Sequence, residues 1–453
     1  MSSVPDADGD GTDDLLLGTR GSGGGAWLCS GRTGLLLRTW TSPDPTTFGQ
    51  FGTAGAGIRD VDGDGAGDVI IGDYSIGRVY VFSGRTGALI HTLQYSTPGG
   101  GFFGTAVAAV PDTDGDGYDD IVVGSSTDGG RGLAYIFSGH TGAELVRLVT
   151  PVPYVQGSFG AAVAGLDDLD GDGRGDVLVG APNEGEGVGY EHGQAHLYSG
   201  ATGAYIRLVP SPVVPARQFG LHLARLSDIN GDGHGDYMIG GPNHPGANGV
   251  RPEGALYLFS GQDGTLIRTL HSPHEEWSGS LFGNGAFVEA PDLNRDRVPD
   301  LLVGHGYLGD LPNEPIYSGR AFVFSGTSGE VQRTYRSPMP NPIMEGSGFG
   351  AYVNVLPSTF GDRIPEIAVM AANDCGGECG CNCTSEPRGV TYIFNSCPVD
   401  LNYNGRADSA DFFAFLTDLF GDGPHADFNG DGRVNSQDFF DFLARFFMGC
   451  REG

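Results

Sequence analysis

Asp168-Leu169-Asp170-Gly171-Asp172-Gly173-Arg174-Gly175-Asp176-Val177-Leu178-Val179-Gly180 is the stretch that decides how this chain folds. Carboxylates two residues apart, with glycine where the backbone must turn, wrap their oxygens around one hard cation. Calcium is held this way, by about six to eight oxygens, here from side chains at loop positions 1, 3, 5 and 9 and a main-chain carbonyl at position 7. The same pattern, followed by an apolar run and glycine, starts at Asp6, Asp60, Asp112, Asp168, Asp228 and Asp292.

The expected ligands are therefore Asp6, Asp8, Asp10, Thr12 and Asp14, then Asp60, Asp62, Asp64, Ala66 and Asp68. The third and fourth loops offer Asp112, Asp114, Asp116, Tyr118 and Asp120, and Asp168, Asp170, Asp172, Arg174 and Asp176. The fifth and sixth substitute an amide at position 3: Asp228, Asn230, Asp232, His234 and Asp236, and Asp292, Asn294, Asp296, Val298 and Asp300. Thr12, Ala66, Tyr118, Arg174, His234 and Val298 are named for their carbonyls alone.

Successive loops start 54, 52, 56, 60 and 64 residues apart, and each belongs to a larger unit. Phe-Gly opens the unit (Phe51-Gly52, Phe103-Gly104, Phe159-Gly160, Phe219-Gly220, Phe282-Gly283, Phe349-Gly350) and is read as the start of a strand. The acidic loop follows, then an apolar strand such as Val69-Ile70-Ile71-Gly72. An aromatic strand ending in Ser-Gly-x-x-Gly comes next (Tyr80-Val81-Phe82-Ser83-Gly84-Arg85-Thr86-Gly87), and a short strand such as 89–93 closes the unit. Runs of this length between glycine turns are strands and hairpins. A seventh copy is expected near Ser358, with Asp362 and Glu366 retained and Phe360 where an acid belongs, so it should lack calcium. Four antiparallel strands repeated about seven times make an all-β, seven-bladed β-propeller. Val4-Pro5-Asp6 matches Val110-Pro111-Asp112 at a strand end, so the first blade is expected to lack its first strand through truncation at the N-terminus, and the seventh its fourth.

Phe-Gly, the Asp-rich loop and Gly180-Ala181-Pro182 together resemble the FG-GAP repeats of integrin α-subunit propellers and their bacterial relatives. The resemblance covers roughly residues 1–396. It implies calcium between the first two strands of a blade, and it does not by itself imply integrin function.

The net charge of −31 fits this reading, because half of the 56 acidic residues are candidate ligands, six of them in the C-terminal loops described below. All 25 basic residues are Arg and form no stripe that would neutralise phosphates, which argues against a nucleic-acid partner. No apolar run reaches membrane-span length. No signal peptide is seen, yet weak calcium loops need the calcium levels found outside cells, so a secreted or cell-surface location is expected. Cys375, Cys379, Cys381 and Cys383, with Cys397 and Cys450, are read as disulfide formers; zinc is the alternative for the cluster, although its spacing fits no CxxC pair. Cys29 aligns with Phe82 and is expected to be a buried free thiol.

Loop connectivity should place the calcium loops and Ser-Gly-x-x-Gly turns on one face. The opposite, variable face carries Tyr154, Tyr190, Arg217, Trp277 and Tyr307, which are expected to bind a protein or glycan partner. Arg174-Gly175-Asp176 is an adhesion-type triplet, but its Asp is a loop ligand and should be turned toward metal.

After Cys397 the pattern becomes helical. Asp400, Asn402, Asn404, Arg406, Asp408 and Asp411 form a twelve-position loop, and Asp427, Asn429, Asp431, Arg433, Asn435 and Asp438 repeat it 27 residues later. Phe412, Phe413, Phe415, Leu416, Leu419 and Phe420 after the first loop match Phe439, Phe440, Phe442, Leu443, Phe446 and Phe447 after the second, and the two faces should pack together. Duplicated loop-plus-helix units over 397–453 resemble a dockerin module. The resemblance implies a cohesin-like receptor and partner-facing Ser409, Ala410, Ser436 and Gln437. The expected total is about six calcium sites in the propeller and two in this small α-helical domain.

The function expected is a non-enzymatic adhesion or ligand-binding module, anchored through the dockerin-like domain. The alternative is a propeller-type hydrolase acting on carbohydrate or phosphoester. Against it, the axis-facing polar residues His222, Arg225, Glu289 and Asn354 come from separate units and form no catalytic motif.

Overall fold

The computed structural model describes residues 1–19, 24–44, 49–95, 101–151, 156–185, 192–213, 218–243, 254–273, 282–306, 319–336, 348–356, 366–371, 390–394, 409–421, 426 and 434–448. These form seven antiparallel sheets, six of four strands and a seventh of three, each in simple sequential order. The fourth blade is typical: strands Ala162–Leu166, Asp176–Ala181, Gln194–Ser199 and Tyr205–Pro210 run up and down from the centre outward. The second strands of blades two to six (Asp68–Asp73, Asp120–Ser125 and Asp176–Ala181 among them) are buried along their whole length. This explains an unbroken apolar run where a half-exposed strand would alternate.

The innermost strands close a circle. Ser2–Val4, Ala54–Ile58, Phe103–Val110, Ala162–Leu166, Leu223–Leu226, Phe287–Ala290 and Phe349–Leu356 contact one another in turn, and the last returns to the first. Core clusters fill each seam between blades, from Leu16, Leu28 and Trp40 against Val69, Ile71 and Tyr80 in the first to Ala290 and Leu302 against Ile367 and Val369 in the sixth. Leu15 packs with Leu356 and Ala368 across the seventh seam. The ring therefore closes by side-chain packing between the first and last blades.

The first blade does have its innermost strand, contrary to the sequence expectation. Ser2, Ser3 and Val4 pair with Leu16, Leu15 and Asp14, so three residues suffice where Phe103–Val110 uses eight. Phe-Gly also behaves differently from expected. It opens a strand in Phe103–Val110 and Phe349–Leu356 only; in the other units a turn separates it from the strand.

The motif has a packing cause. Phe159 is fully buried, with its ring 5.9 Å from that of Tyr198 and 5.7 Å from that of His196 on the third strand of its own blade. Gly160 has φ of +83°, and a Cβ there would run into the Leu133 carbonyl of the preceding blade. Phe pins the chain to one blade while Gly lets the backbone pass against another. Phe219→Ala should therefore cost about 3–5 kcal/mol, read as a lowered midpoint in urea unfolding.

Beyond the propeller lie two helices, α1 (Ser409–Gly421) and α2 (Ser436–Met448). Phe415 and Phe442 stack at 4.0 Å, surrounded by Phe412, Leu419, Phe439 and Phe446. The expectation that the whole apolar set packs is corrected: Phe413, Phe420 and Phe440 are 63%, 84% and 60% exposed. At i and i+1 two aromatics point to different sides of a helix, so one of each Phe-Phe pair must leave the seam.

Candidate metal centre

In all six propeller loops the same bonds recur. The position-1 carboxylate accepts backbone N–H groups from its own loop, as Asp168 does from Gly171 at 2.6 Å and Gly173 at 2.7 Å. Position 5 accepts the N–H of position 7 at 2.9 Å in each: Thr12, Ala66, Tyr118, Arg174, His234 and Val298 donate to Asp10, Asp64, Asp116, Asp172, Asp232 and Asp296. Amides directed at carboxylates hold the oxygens in place before any ion arrives.

The ninth position carries the fold. Asp14, Asp68, Asp120, Asp176, Asp236 and Asp300 are buried at the start of the second strand. One oxygen accepts the N–H of position 2 (Leu169 to Asp176, 2.7 Å) and the other the first Gly of the Ser-Gly-x-x-Gly turn (Gly200 to Asp176, 3.2 Å). Gly31, Gly84, Gly139, Gly261 and Gly326 do the same in the other blades. The turn's Ser can add a bond to position 5, as Ser260 Oγ does to Asp232 at 2.8 Å. Loops and turns thus share one face, as connectivity required.

Carboxylate oxygens of Asp6, Asp8 and Asp10, of Asp60, Asp62 and Asp68, of Asp112, Asp114 and Asp120, and of Asp168, Asp170 and Asp176 each lie within 4.8 Å of one another. Such all-oxygen clusters suit a hard divalent cation. Burial, with repulsion from position-3 and position-5 neighbours, raises Asp14 to about 6 and Asp68 and Asp176 to about 7. Burial likewise lifts Asp120 and Asp300 to about 6. Carboxyls so perturbed are what a divalent charge would relieve.

Loops five and six do not gather three acidic oxygens, because Asn230 and Asn294 occupy position 3. Their amides donate instead to Asp232 and Asp296, at 2.8 and 2.9 Å. Loop six is further compromised. Arg295 and Arg297 adopt φ of +65° and +74° where the other loops have glycine. Left-handed non-glycine residues cost about 1–2 kcal/mol each. Glycine loses about 0.5–1 kcal/mol more backbone entropy on folding, so replacing both (Arg295→Gly with Arg297→Gly) should raise stability by a net of about 1–2 kcal/mol in urea unfolding, and removing two positive charges should favour a cation at this loop.

The adhesion-type triplet is used internally: Asp176 is 0% exposed and bonded on both oxygens. Of the axis residues, Arg225 pairs with Asp167 at 2.7 Å and Glu289 accepts from Ser227 Oγ at 2.9 Å, contacts between neighbouring blades. Asn354 is buried. Sequence reasoning missed the bidentate pairing of Arg59 with Asp119 across blades two and three, which no local pattern announces. Cys29 is a free thiol but only half-buried, because it shares the less buried face of its strand with Trp27, opposite Ala26 and Leu28.

In the helical segment, Asp411 and Asp438 are buried at the first turns of α1 and α2, and Asn435 N–H donates to Asp438 at 2.8 Å. Ser409, Ala410, Ser436 and Gln437 are exposed. Asp400, Asn402, Asn404, Arg406, Asp408, Asp427, Asn429, Asp431 and Arg433 lie outside the described residues, as do the other six cysteines and Ser358, Phe360 and Asp362. So do Tyr154, Tyr190, Arg217, Trp277 and Tyr307 of the variable face.

A family model described as FG-GAP repeat matches residues 159–198, and one described as FG-GAP-like repeat matches residues 60–123. Integrin alpha-PS2 of Drosophila melanogaster is 32% identical over 209 residues, covering 39% of this chain and 14% of that protein. Integrin alpha-4 of Xenopus laevis is 32% identical over 179 residues, 36% of this chain and 17% of that protein. Integrin alpha-3 of Cricetulus griseus is 31% identical over 196 residues, 41% of this chain and 18% of that protein. The matches thus span less than a fifth of these relatives' length. The repeats are FG-GAP repeats, and the seven sheets form an FG-GAP β-propeller similar to those of integrin alpha chains.

Proposed function

We propose that this chain is an extracellular calcium-binding propeller that acts as an adhesion or ligand-binding module and has no enzymatic activity. The observation that carries the reading is the recurrence, in register on one face, of loops whose carboxylates are held by their own amides and joined to the adjoining turn. Likeness to integrin alpha chains supports adhesion over catalysis, as does the engagement of Arg225 and Glu289 with neighbouring blades. The propeller is read as residues 1–396, with calcium at its six loops. Its partner, a protein or glycan, is assigned to the variable face with Tyr154, Tyr190, Arg217, Trp277 and Tyr307. Residues 397–453 are read as a dockerin-like anchor with two further calcium loops, presenting Ser409, Ala410, Ser436 and Gln437 to a cohesin-like receptor. No helix among the described residues is long and apolar enough to cross a membrane.

Native mass spectrometry of the full chain should find about eight bound calcium ions, all lost in chelator. Calcium-dependent capture on an array of glycans and matrix proteins, weakened by Trp277→Ala with Tyr307→Ala, is the expected outcome. Turnover of a glycoside or phosphoester by the loaded chain, without capture, would favour the hydrolase.

A further inference from the structure

Loop three carries a neighbouring loop's guanidinium on its position-1 carboxylate; at loop two, Arg85 of the same blade's turn comes only to 3.8 Å from Asp64 at position 5. Arg174 belongs to the fourth loop, yet its Nη1 donates to Asp112 Oδ2 of the third at 2.9 Å, 62 residues away in sequence. The guanidinium lies against Gly115 so closely that a Cβ there would collide with it. At the equivalent glycines of loops one, two, four and five (Gly9, Gly63, Gly171 and Gly231) a Cβ would meet nothing within 4 Å. Among the described residues, Asp6, Asp60, Asp168 and Asp228 accept only their own loops' amides.

We propose that Arg174 is a built-in counter-cation of the third site, weakening cation binding there and coupling it to the fourth site. The proposal rests on the reading of the loops as cation sites. Asp112 is the position-1 donor of site three, and a guanidinium hydrogen-bonded to it repels an incoming divalent ion and competes for its oxygen. A unit charge and a divalent ion roughly 6 Å apart, screened by water at this part-exposed edge, repel with a penalty worth about tenfold in affinity. Arg174 also supplies position 7 of the fourth loop, where its N–H bonds Asp172 at 2.9 Å. An ion in the fourth site holds the backbone from which the guanidinium reaches over the third. Filling either site therefore disfavours the other, by equal factors.

Tyr118 makes this measurable in the whole protein. It is the aromatic residue at position 7 of loop three, held by stacking on His140 at 4.3 Å, whereas the other loops have Thr12, Ala66, Arg174, His234 and Val298 there. Terbium bound in site three should emit on tyrosine excitation, and Tyr118→Leu should remove that emission. Titrating the full chain with terbium, Arg174→Gln should shift the midpoint of this emission to about tenfold lower concentration, while Arg174→Lys, which keeps the charge, should stay closer to the native chain. A midpoint for Arg174→Gln within about twofold of native, in protein that native mass spectrometry shows binding ions at other loops, overturns the proposal alone. Absence of bound ions at every loop would instead remove the cation-site reading on which it rests.

Discussion

Calcium-loaded protein is expected to melt roughly 10–20 °C above chelator-treated protein at pH 8. Each loop held at ten to a thousand times its dissociation constant adds about 1.4–4 kcal/mol. Six such terms are comparable to the whole stability of an ordinary domain, and unfolding entropy for a chain this long converts about 1 kcal/mol into roughly 1 °C. The pH dependence should have opposite sign in the two states. Asp14, Asp68, Asp120, Asp176 and Asp300 have folded-state values of about 6 to 7 against the ordinary 3.8, through burial and repulsion by neighbouring carboxylates. A carboxyl with a raised folded-state value destabilises the fold fully above that value. The penalty shrinks as pH falls through 7 to 6 and vanishes below the unfolded value of 3.8. In chelator, acidification from pH 8 to 5 should therefore raise the melting temperature by a few degrees. In calcium the same change should lower it, because protons displace the ions. Identical melting curves with and without chelator at pH 8 would refute the calcium assignment.

Gly180→Ala should be among the most damaging single-methyl changes in the propeller, at about 3 kcal/mol. Gly180 lies in the fully buried strand Asp176–Ala181 of blade four, and a Cβ there would strike the Gly220 carbonyl of blade five. Backbone against backbone cannot yield as a flexible side chain does, so the blades must part or the strand must shift. Gly171→Ala provides the contrast. Gly171 sits in the fourth loop with φ of +85° and nothing within 4 Å of a Cβ, so its cost is conformational, about 1 kcal/mol. Urea unfolding of the two variants in saturating calcium should separate them by roughly 2 kcal/mol; equal destabilisation would mean that the blade seam is not the constraint.

Much of this architecture was legible because it repeats. The Phe-Gly, acidic-loop and Ser-Gly-x-x-Gly signals return in register, so weak local patterns reinforce one another into seven sheets. In each of loops one to four, three of the four carboxylates lie within 4.8 Å of one another. Errors arose where the repeat fades. Ser2–Val4 is too short to announce itself as a strand, and the Phe-Phe pairs of α1 and α2 carry no signal for which ring turns inward. The strain at Arg295 and Arg297 was readable in principle, since both replace a glycine that the other loops keep.

The blade plan, the spacing of the loop carboxylates and the burial of position 9 were legible in the chain alone, because each depends on residues close together and recurs with every unit. The tertiary structure alone decided what crosses from blade to blade. It placed Arg174 on Asp112 and Arg59 on Asp119, set Gly180 against Gly220, and brought Leu15 to Leu356 to close the ring. Those partners lie 40 to more than 300 residues apart, and only the packing angle between neighbouring sheets brings them within reach.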